Sequence, residues 1–296
     1  MTCAQDLLSQ LSRDGVVVLP NLISKEQLKA MQVIFAQQLN QPNCNAWQGY
    51  HQTDRYRLMV DQVLALHPTF VQLAIAPLLY NMVSQYLGDD ACLQEAKGWQ
   101  SLPFNYDFHP LHRDEWYCTE FYQDKLPPKS LKLGCYLQDV KSGSFGYVLG
   151  SHLKSNGIEV GERFHQDAKD YAMHKIVGRA GTCFLFDPQG LHQQTYPNDE
   201  ARNAVFYHYF SPHIRLAKAF IRSGRYNHML VDISYLKGLS SHQMQFLGLE
   251  RGRPLPSNLL LPSSRQQACI IRAGLRAYNE FRYWKQRVMA RLSKIT

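Results

Sequence analysis

The N-terminal region places one short apolar run before a helical pattern. Val16 to Leu19 is a β-branched run that follows Asp14 and Gly15 and ends at Pro20, which is typical of a strand after a turn. Ser24 then precedes a helix, because a glutamine three residues later completes a capping box. The apolar residues of this helix recur at helical spacing: Leu28, Met31, Phe35 and Leu39.

A second helical pattern is predicted from Val71 to Gly88. Between these ends, apolar residues recur every three or four positions at Ile75, Leu78, Met82 and Tyr86. Glycine is a frequent residue just after a helix C-terminus, so the helix is predicted to end there.

The pattern changes between Cys92 and Phe210. Short aromatic and β-branched runs alternate with Gly, Pro, Asn and Asp, which predicts several short antiparallel strands in a sandwich or barrel. The runs are Trp99–Phe108, Leu131–Leu137, Gly146–Leu149, Thr182–Phe186 and Ala204–Phe210.

Residues after Ser211 return to helical spacing. One apolar stripe has arginines on the other face and comprises Ile271, Leu275, Tyr278, Phe281, Trp284, Val288 and Leu292. Helices, then a block of strands, then helices indicate an α+β fold class, with the chemistry expected inside the β block.

Composition adds limits to this picture. The 296 residues with 45% apolar and 19% charged content fit one globular domain spanning 1–296. No apolar run reaches the roughly 18 residues that span a bilayer. The first residues lack a secretory pattern, so a cytoplasmic location is expected. The seven cysteines are scattered and never spaced as CxxC, which indicates reduced thiols rather than a disulfide framework or zinc site.

The charge is uneven along the chain. Residues 251–296 hold ten Lys or Arg and one Glu, hence +9, which leaves 8 − 9 = −1 for the rest. A basic tail can bind nucleic acid or anionic membranes. A solvated helix face is the preferred interpretation, and no nucleic-acid partner is expected.

A pair of candidate metal ligands lies in the β block. On a strand, His112 and Asp114 would project from the same face, with Arg113 facing away. His192 could join them from a later strand. Two imidazoles and one carboxylate leave three coordination positions open, which suits Fe(II) in oxygenases. Zinc prefers four tetrahedral ligands.

A second His-x-Asp match weakens the motif taken alone. His165 and Asp167 lie close before His192 in a polar, loop-like stretch, and we interpret them as surface residues. His112 lies far enough before His192 for several strands to intervene.

Arg202 is a candidate anion clamp. It begins the strand-like run that ends at Phe210, shortly after His192. If the two strands form a hairpin, Arg202 returns beside His192, where its guanidinium fork would bind a buried carboxylate. The alternative is an arginine at a strand edge that pairs with Asp199 or Glu200.

Several segments in order resemble the phytanoyl-CoA dioxygenase family of iron and 2-oxoglutarate oxygenases. The resemblance covers about residues 5–211. It rests on the strand and helix at 14–20 and 22–28, the metal motif at 112–114, the Gly-Ser-His turn at 143–152, the distal-histidine strand at 181–192, and Arg202.

This resemblance implies a double-stranded β-helix, a jelly-roll barrel of two facing sheets flanked by N-terminal and C-terminal helices. The catalytic core would span 92–211 and a basic, mostly helical extension 212–296. Fe(II) would be the metal, with 2-oxoglutarate and O2 as cosubstrates. Oxidative decarboxylation to succinate and CO2 would drive C–H oxidation of a small metabolite or natural product. Asp114 stands where halogenating relatives have a small residue, so hydroxylation or a related C–H oxidation is expected.

The same resemblance shows departures and secondary candidates. Leu149 replaces the usual proline before Gly-Ser-His, and Gln193 replaces a small residue after the distal histidine. His152 of the turn is expected to be structural. Tyr136 is a candidate cosubstrate contact, with core packing as the alternative.

Aromatic residues next to the metal motif are candidates for the substrate pocket. Trp116 and Tyr117 follow the motif closely, although aromatic side chains also bury well elsewhere. His109 is interpreted as a polar wall or surface residue, and Phe186 as core.

Two other functions are compatible with the sequence. One is a non-catalytic β-helix that binds a ligand or a partner, against which the complete ligand set argues. The other is a zinc or nickel enzyme of cupin type without 2-oxoglutarate, which Arg202 disfavours.

Overall fold

A computed structural model describes residues 4–40, 57–60, 62–106, 111–114, 129–153, 171–211, 230–249 and 259–261, with scattered positions between 270 and 288. The helices are α1 (Ala4–Asp14), α2 (Lys25–Leu39), α3 (Pro68–Ala74), α4 (Pro77–Leu87) and α5 (Ser241–Phe246). The first strands are β1 (Val16–Leu19), β2 (Arg57–Val60), β3 (Cys92–Ser101), β4 (Ser130–Tyr136), β5 (Val140–Tyr147) and β6 (His174–Gly178). The remaining strands are β7 (Cys183–Phe186), β8 (His192–Gln194), β9 (Arg202–Phe210), β10 (Leu230–Asp232) and β11 (Leu259–Leu261).

Two antiparallel sheets form the double-stranded β-helix. The major sheet has the order β1-β7-β4-β9-β3-β2, and the minor sheet has the order β6-β5-β8. An isolated bridge between His112 and His192 adds one more segment beside β8. The predicted α+β class and double-stranded β-helix are confirmed.

Strand β9 shows why the major sheet has two buried faces. Tyr207 and Tyr209 point outward into the core that the helices cover, whereas Ala204 and Phe206 point inward between the sheets. Successive side chains of a strand alternate between faces, so a strand covered on both sides is apolar at nearly every position.

The helices cover the outer face of the major sheet. The hydroxyl of Tyr207 donates to the Phe70 carbonyl oxygen at 3.1 Å, and that of Tyr209 to the Ala74 carbonyl at 2.7 Å. Buried tyrosines require such partners for their hydroxyl groups. These two bonds therefore fix α3 against the centre of the sheet.

Several predicted elements match the structure. Strand β1 and helix α2 are confirmed, and the capping box of Ser24 and Gln27 is present with both of its hydrogen bonds. Met31 and Phe35 are buried as expected. The predicted single helix from Val71 to Gly88 is wrong, because the chain forms α3 and α4 with a break before Pro77. Proline has no amide hydrogen and opens a new helix at its first position.

The predicted strand Trp99–Phe108 is also displaced. Strand β3 runs from Cys92 to Ser101 instead. Its middle includes Glu95 and Lys97, whose side chains lie on the inner face of the sheet. Polar residues inside a barrel hide the apolar alternation on which sequence reasoning depends.

The C-terminal region shows helical positions between 270 and 288. Of the predicted apolar stripe, three residues are described, and Phe281, Trp284 and Val288 are exposed by 67%, 56% and 53%. The other four stripe residues lie outside the described residues. None of the described helices is long and apolar enough to cross a membrane. The division into a 92–211 core and a 212–296 extension stays a prediction, and β1 and β2 join the major sheet from before residue 92.

Candidate metal centre and cosubstrate site

Three side chains meet on the inner side of the β-helix. One ligand atom each from His112, Asp114 and His192 lies within 4.8 Å of the others. The Nε2 atom of His112 is 3.8 Å from Asp114 Oδ1, and Nε2 of His192 is 3.8 Å from Asp114 Oδ2. The sequence-predicted trio is therefore brought together by the fold.

Backbone bonds hold the first pair of this trio. His112 exchanges two hydrogen bonds with His192, at 3.1 Å and 2.9 Å, and the Asp114 amide donates to the Pro188 carbonyl at 2.9 Å. The expectation of one regular strand through residues 112–114 is wrong, since only the bridge at His112 pairs like a strand. Arg113 faces away from the cluster as predicted and donates to the Gln189 carbonyl at 3.1 Å.

The His192 ring is oriented for ligation. Its Nδ1 lies 2.8 Å from the Gly190 carbonyl oxygen, so Nδ1 carries the proton and Nε2 presents a lone pair to the cluster. The Phe186 ring packs 5.2 Å from the imidazole and the Phe145 ring 5.7 Å. Phe186 is buried, as predicted for a core residue.

The Gly-Ser-His turn supports the strand that carries His192. Ser151 Oγ donates to the Val148 carbonyl at 2.6 Å and accepts from the Leu191 amide at 2.7 Å. The Nε2 atom of His152 lies 3.1 Å from the Ser12 carbonyl oxygen, a structural contact as expected. Leu149, where the family has proline, is an exposed residue of this turn.

Lys132 compensates the negative charge of Asp114, a role that the sequence analysis did not predict. Burial alone would raise the pKa of Asp114, but the Lys132 ammonium, followed by the two imidazoles, lowers it well below its ordinary value. Lys132 Nζ bonds directly to Asp114 Oδ2. The carboxylate is therefore ionised at neutral pH and available to a cation.

The donor set of the trio fits a divalent iron. Burial, followed by the neighbouring His112, lowers the pKa of His192 to about 3, so its imidazole is neutral at pH 7 and ready to ligate. Two imidazoles and one carboxylate on one side of a cavity are the facial donor set of non-haem Fe(II). Among the described residues no cysteine joins the cluster, and Cys92, Cys135 and Cys183 are buried and not disulfide-bonded.

Arg202 lies buried on the inner face of β9. Its guanidinium donates to the Gly143 carbonyl and, at 3.4 Å, to Ser101 Oγ. Its Nε has no hydrogen-bond partner within the described part of the chain, and burial lowers the pKa of the group. No ion pair joins it to Asp199 or Glu200 among the described residues, so the strand-edge alternative has no support.

The predicted hairpin between β8 and β9 is wrong. Strand β8 belongs to the minor sheet beside β5, whereas β9 lies in the major sheet between β3 and β4. The connection crosses from one sheet to the other, so Arg202 faces the interior from the wall opposite His192.

Further buried donors surround Arg202. Ser101, in register with Arg202, donates to Gln194 Oε1 at 2.9 Å. Gln194 Nε2 and Trp99 Nε1 are buried without a partner among the described residues. Sequence reasoning missed these residues, although the period-two alternation of β3 and β8 places them on the inner faces. Unsatisfied buried donors beside a buried cation form a site suited to a carboxylate.

Tyr136 packs against the arginine. The ring centroid is 5.7 Å from the guanidinium carbon of Arg202, within cation–π range. The Tyr136 hydroxyl donates to the Ile176 carbonyl at 2.9 Å and accepts from the Phe145 amide at 2.8 Å. Tyr136 thus supports Arg202 and fastens the minor sheet, and its direct contact with a cosubstrate stays a prediction.

A row of ionisable side chains continues along the inner face of the major sheet, and we call Glu95, Lys97, Lys132 and His208 the charged wall. His208 is in register with Glu95 on one side and with Lys132 on the other. Lys97 Nζ lies 2.5 Å from Glu95 Oε1, with both side chains about 15% exposed. Burial, followed by Lys132, lowers the pKa of His208 well below its ordinary value. Sequence reasoning missed the charged wall.

Some predicted residues cannot be placed. Trp116 and Tyr117, the pocket candidates, lie outside the described residues, as do His109 and the alternative pair His165 and Asp167. Their predicted roles stay predictions.

The fold and the site together define a class. Facing antiparallel sheets, a cluster of two histidines and one carboxylate inside them, and a buried arginine on the opposite wall are the features of iron- and 2-oxoglutarate-dependent oxygenases. The chain belongs to the phytanoyl-CoA dioxygenase (PhyH) family, whose model matches residues 11–199. This membership confirms the predicted resemblance and the predicted iron and 2-oxoglutarate.

Solved structures share the fold. The epimerase SnoN in complex with Fe3+, alpha ketoglutarate and nogalamycin RO is 16% identical, with a TM-score of 0.57 over 88% of this chain and 96% of that one. EctD from S. alaskensis, with 2-oxoglutarate and 5-hydroxyectoine, is 18% identical, with a TM-score of 0.56 over 88% of both chains. HygX from Streptomyces hygroscopicus, with nickel, 2-oxoglutarate and hygromycin B, is 20% identical, with a TM-score of 0.51 over 72% and 88%. No curated protein matches the chain significantly by sequence.

Proposed function

We propose that this protein is an Fe(II)- and 2-oxoglutarate-dependent dioxygenase that hydroxylates a C–H bond of a small, polar metabolite or natural product. Succinate and CO2 would be the coproducts. The observation that carries the proposal is the cluster of His112, Asp114 and His192 facing the same interior as the buried Arg202. The metal ligands and Arg202 are both needed for 2-oxoglutarate, because its keto acid end chelates a metal and its distal carboxylate needs a cation.

The three ligands would hold the iron on one side only. The imidazoles of His112 and His192 and the ionised Asp114 would leave three positions for a bidentate keto acid and O2. When bound, the iron supplies the oxidative chemistry, and the protein contributes orientation and exclusion of water. The Nδ1 bond of His192 to Gly190 keeps the imidazole in the ligating tautomer.

Arg202 would bind the distal carboxylate of 2-oxoglutarate. Its Nε is without a partner among the described residues, as are Gln194 Nε2 and Trp99 Nε1. A buried guanidinium is costly alone, and a carboxylate compensates the cost through charge-assisted hydrogen bonds. The Tyr136 ring packs against the guanidinium and holds Arg202 in position.

The charged wall gives the substrate side a polar character. Lys97 and Glu95 point inward beside His208, whose imidazole is neutral at pH 7 because of burial. Polar and ionic side chains that line the interior favour a polar ligand over an aliphatic one, so we propose a substrate that carries hydroxyl, amino or acidic groups. Trp116 and Tyr117 are proposed as further pocket residues.

The direct test measures succinate formation. Purified protein with Fe(II), 2-oxoglutarate, O2 and a panel of polar metabolites should form succinate, with one substrate gaining the mass of one oxygen atom. His112→Ala and Asp114→Ala should abolish turnover, whereas His174→Ala, at an exposed position of β6, should not. Succinate formation that persists in the ligand variants would refute the assignment.

The product separates hydroxylation from related chemistry. SnoN is an epimerase, and a product of unchanged mass here would show that this chain also alters stereochemistry rather than adding oxygen. Absence of iron binding after anaerobic reconstitution would instead favour a non-catalytic binding protein.

A further inference from the structure

We propose that Lys132 is a positioning residue that makes Asp114 a one-oxygen ligand of the metal. The proposal rests on the proposed function, because it concerns how the metal site keeps room for its cosubstrates. Lys132 lies outside the trio and outside the family motifs described above.

The sheet places Lys132 at the metal site from the opposite wall. It lies in the middle of β4, with Phe186 on β7 and His208 on β9 as its two register partners. From there its ammonium reaches across the interior to Asp114 Oδ2. The side chains of Lys132 and Asp114 are only 14% and 8% exposed, so water competes little with this contact.

The contact distinguishes the two oxygens of the carboxylate. Asp114 Oδ1 lies on the side of His112 and Oδ2 on the side of His192, each 3.8 Å from the imidazole nitrogen. Lys132 Nζ bonds to Oδ2, the oxygen on the His192 side. An oxygen that accepts a strong charge-assisted hydrogen bond is a poorer metal donor, so Oδ1 is left as the ligand.

This choice of oxygen matters for the number of open positions. Carboxylates bind cations through one oxygen or through both. If Asp114 used both, it would take one of the three positions that the keto acid and O2 require. Lys132 therefore favours cosubstrate binding rather than metal binding. Its removal would also remove a positive charge that repels the metal ion.

The test uses Co(II) as a spectroscopic probe and 2-oxoglutarate as the ligand. Lys132→Met should bind Co(II) at least as tightly as the wild type but with a changed visible spectrum before 2-oxoglutarate is added. Calorimetry should show 2-oxoglutarate binding to the Co(II)-loaded variant weakened by about 10–100-fold, the range expected for a lost contact to a metal ligand. Lys132→Arg, which keeps the cation, should restore most of this loss.

A matched control removes a lysine elsewhere. Lys141→Met, at an exposed position of β5, makes the same change of charge and should leave the Co(II) spectrum and the 2-oxoglutarate affinity unchanged. If Lys132→Met does not fold, Lys132→Gln and Lys132→Arg carry the comparison, with Gln expected to behave as the deficient variant.

Two failures can be told apart. Wild-type protein that binds neither Co(II) nor 2-oxoglutarate would overturn the proposed function and this proposal with it. A normal wild type together with Lys132 variants of wild-type spectrum and affinity would overturn only the role of Lys132.

Discussion

Replacing Arg202 with methionine should weaken 2-oxoglutarate binding strongly while changing the stability of the fold little. The change removes a buried guanidinium whose pKa is lowered by burial and which has no acidic partner among the described residues. Without 2-oxoglutarate, this cation is a cost to the fold. With 2-oxoglutarate bound, the same cation would be the main partner of the distal carboxylate.

The size of each effect follows from the contacts. A buried ion costs several kcal/mol, whereas the two hydrogen bonds of Arg202, to Gly143 and Ser101, contribute about 1.5–3 kcal/mol each because the donor is charged. These two terms nearly cancel, so Arg202→Met should change the unfolding free energy by less than about 2 kcal/mol. Loss of the charge pair should cost about 2–5 kcal/mol of 2-oxoglutarate binding, at least ~30-fold in Kd.

The assay combines urea unfolding of the metal-free protein with calorimetry of 2-oxoglutarate binding to the Mn(II)-loaded protein. Arg179→Met, at an exposed position after β6, is the control and should change neither quantity. An Arg202→Met variant that still binds 2-oxoglutarate like the wild type would refute the clamp. A variant destabilised by several kcal/mol would refute the claim that the cation is uncompensated.

Three further predictions concern the fold around the site. Gly134→Val should destabilise the protein by at least about 1–3 kcal/mol in urea unfolding, because a β-carbon would lie 2.4 Å from the Phe184 ring; a neutral result would show that the ring can move. Ser151→Ala should cost about 1–3 kcal/mol by leaving the Leu191 amide without its acceptor, and unchanged urea unfolding would contradict this. The pKa of His208 is lowered in the folded protein. Below pH ~6.5, His208 therefore binds a proton in the unfolded chain but not in the folded one, and the unfolding free energy falls by up to ~1.4 kcal/mol per pH unit. His208→Gln should flatten this slope between pH 7 and 5, and an unchanged slope would exclude His208 as its source.

Local patterns in the sequence were sufficient for much of the fold. The capping box at Ser24 and Gln27 needs only neighbouring residues, and it is present with both hydrogen bonds. The predicted run Ala204–Phe210 matches β9 because a strand buried on both faces is apolar at nearly every position. The trio of His112, Asp114 and His192 could be proposed because two histidines and one carboxylate are the ligand set of non-haem iron(II) oxygenases.

Long-range placement was harder to predict. The hairpin expected between His192 and Arg202 does not form, because sequence proximity does not reveal that the chain changes sheets between them. Sequence patterns also treat charged residues as exposed. Lys132 and Lys97 therefore gave no indication that they point into the barrel, where an acidic partner makes burial tolerable.

The central claim is that three side chains from two separated segments hold one metal ion. Anaerobic titration with Fe(II), followed by metal analysis of the washed protein, tests it most directly. We expect one iron per wild-type chain and per His174→Ala chain, and almost none in His112→Ala, Asp114→Ala or His192→Ala. Wild-type protein that retains no iron, or a His192→Ala variant that retains it fully, would contradict the claim.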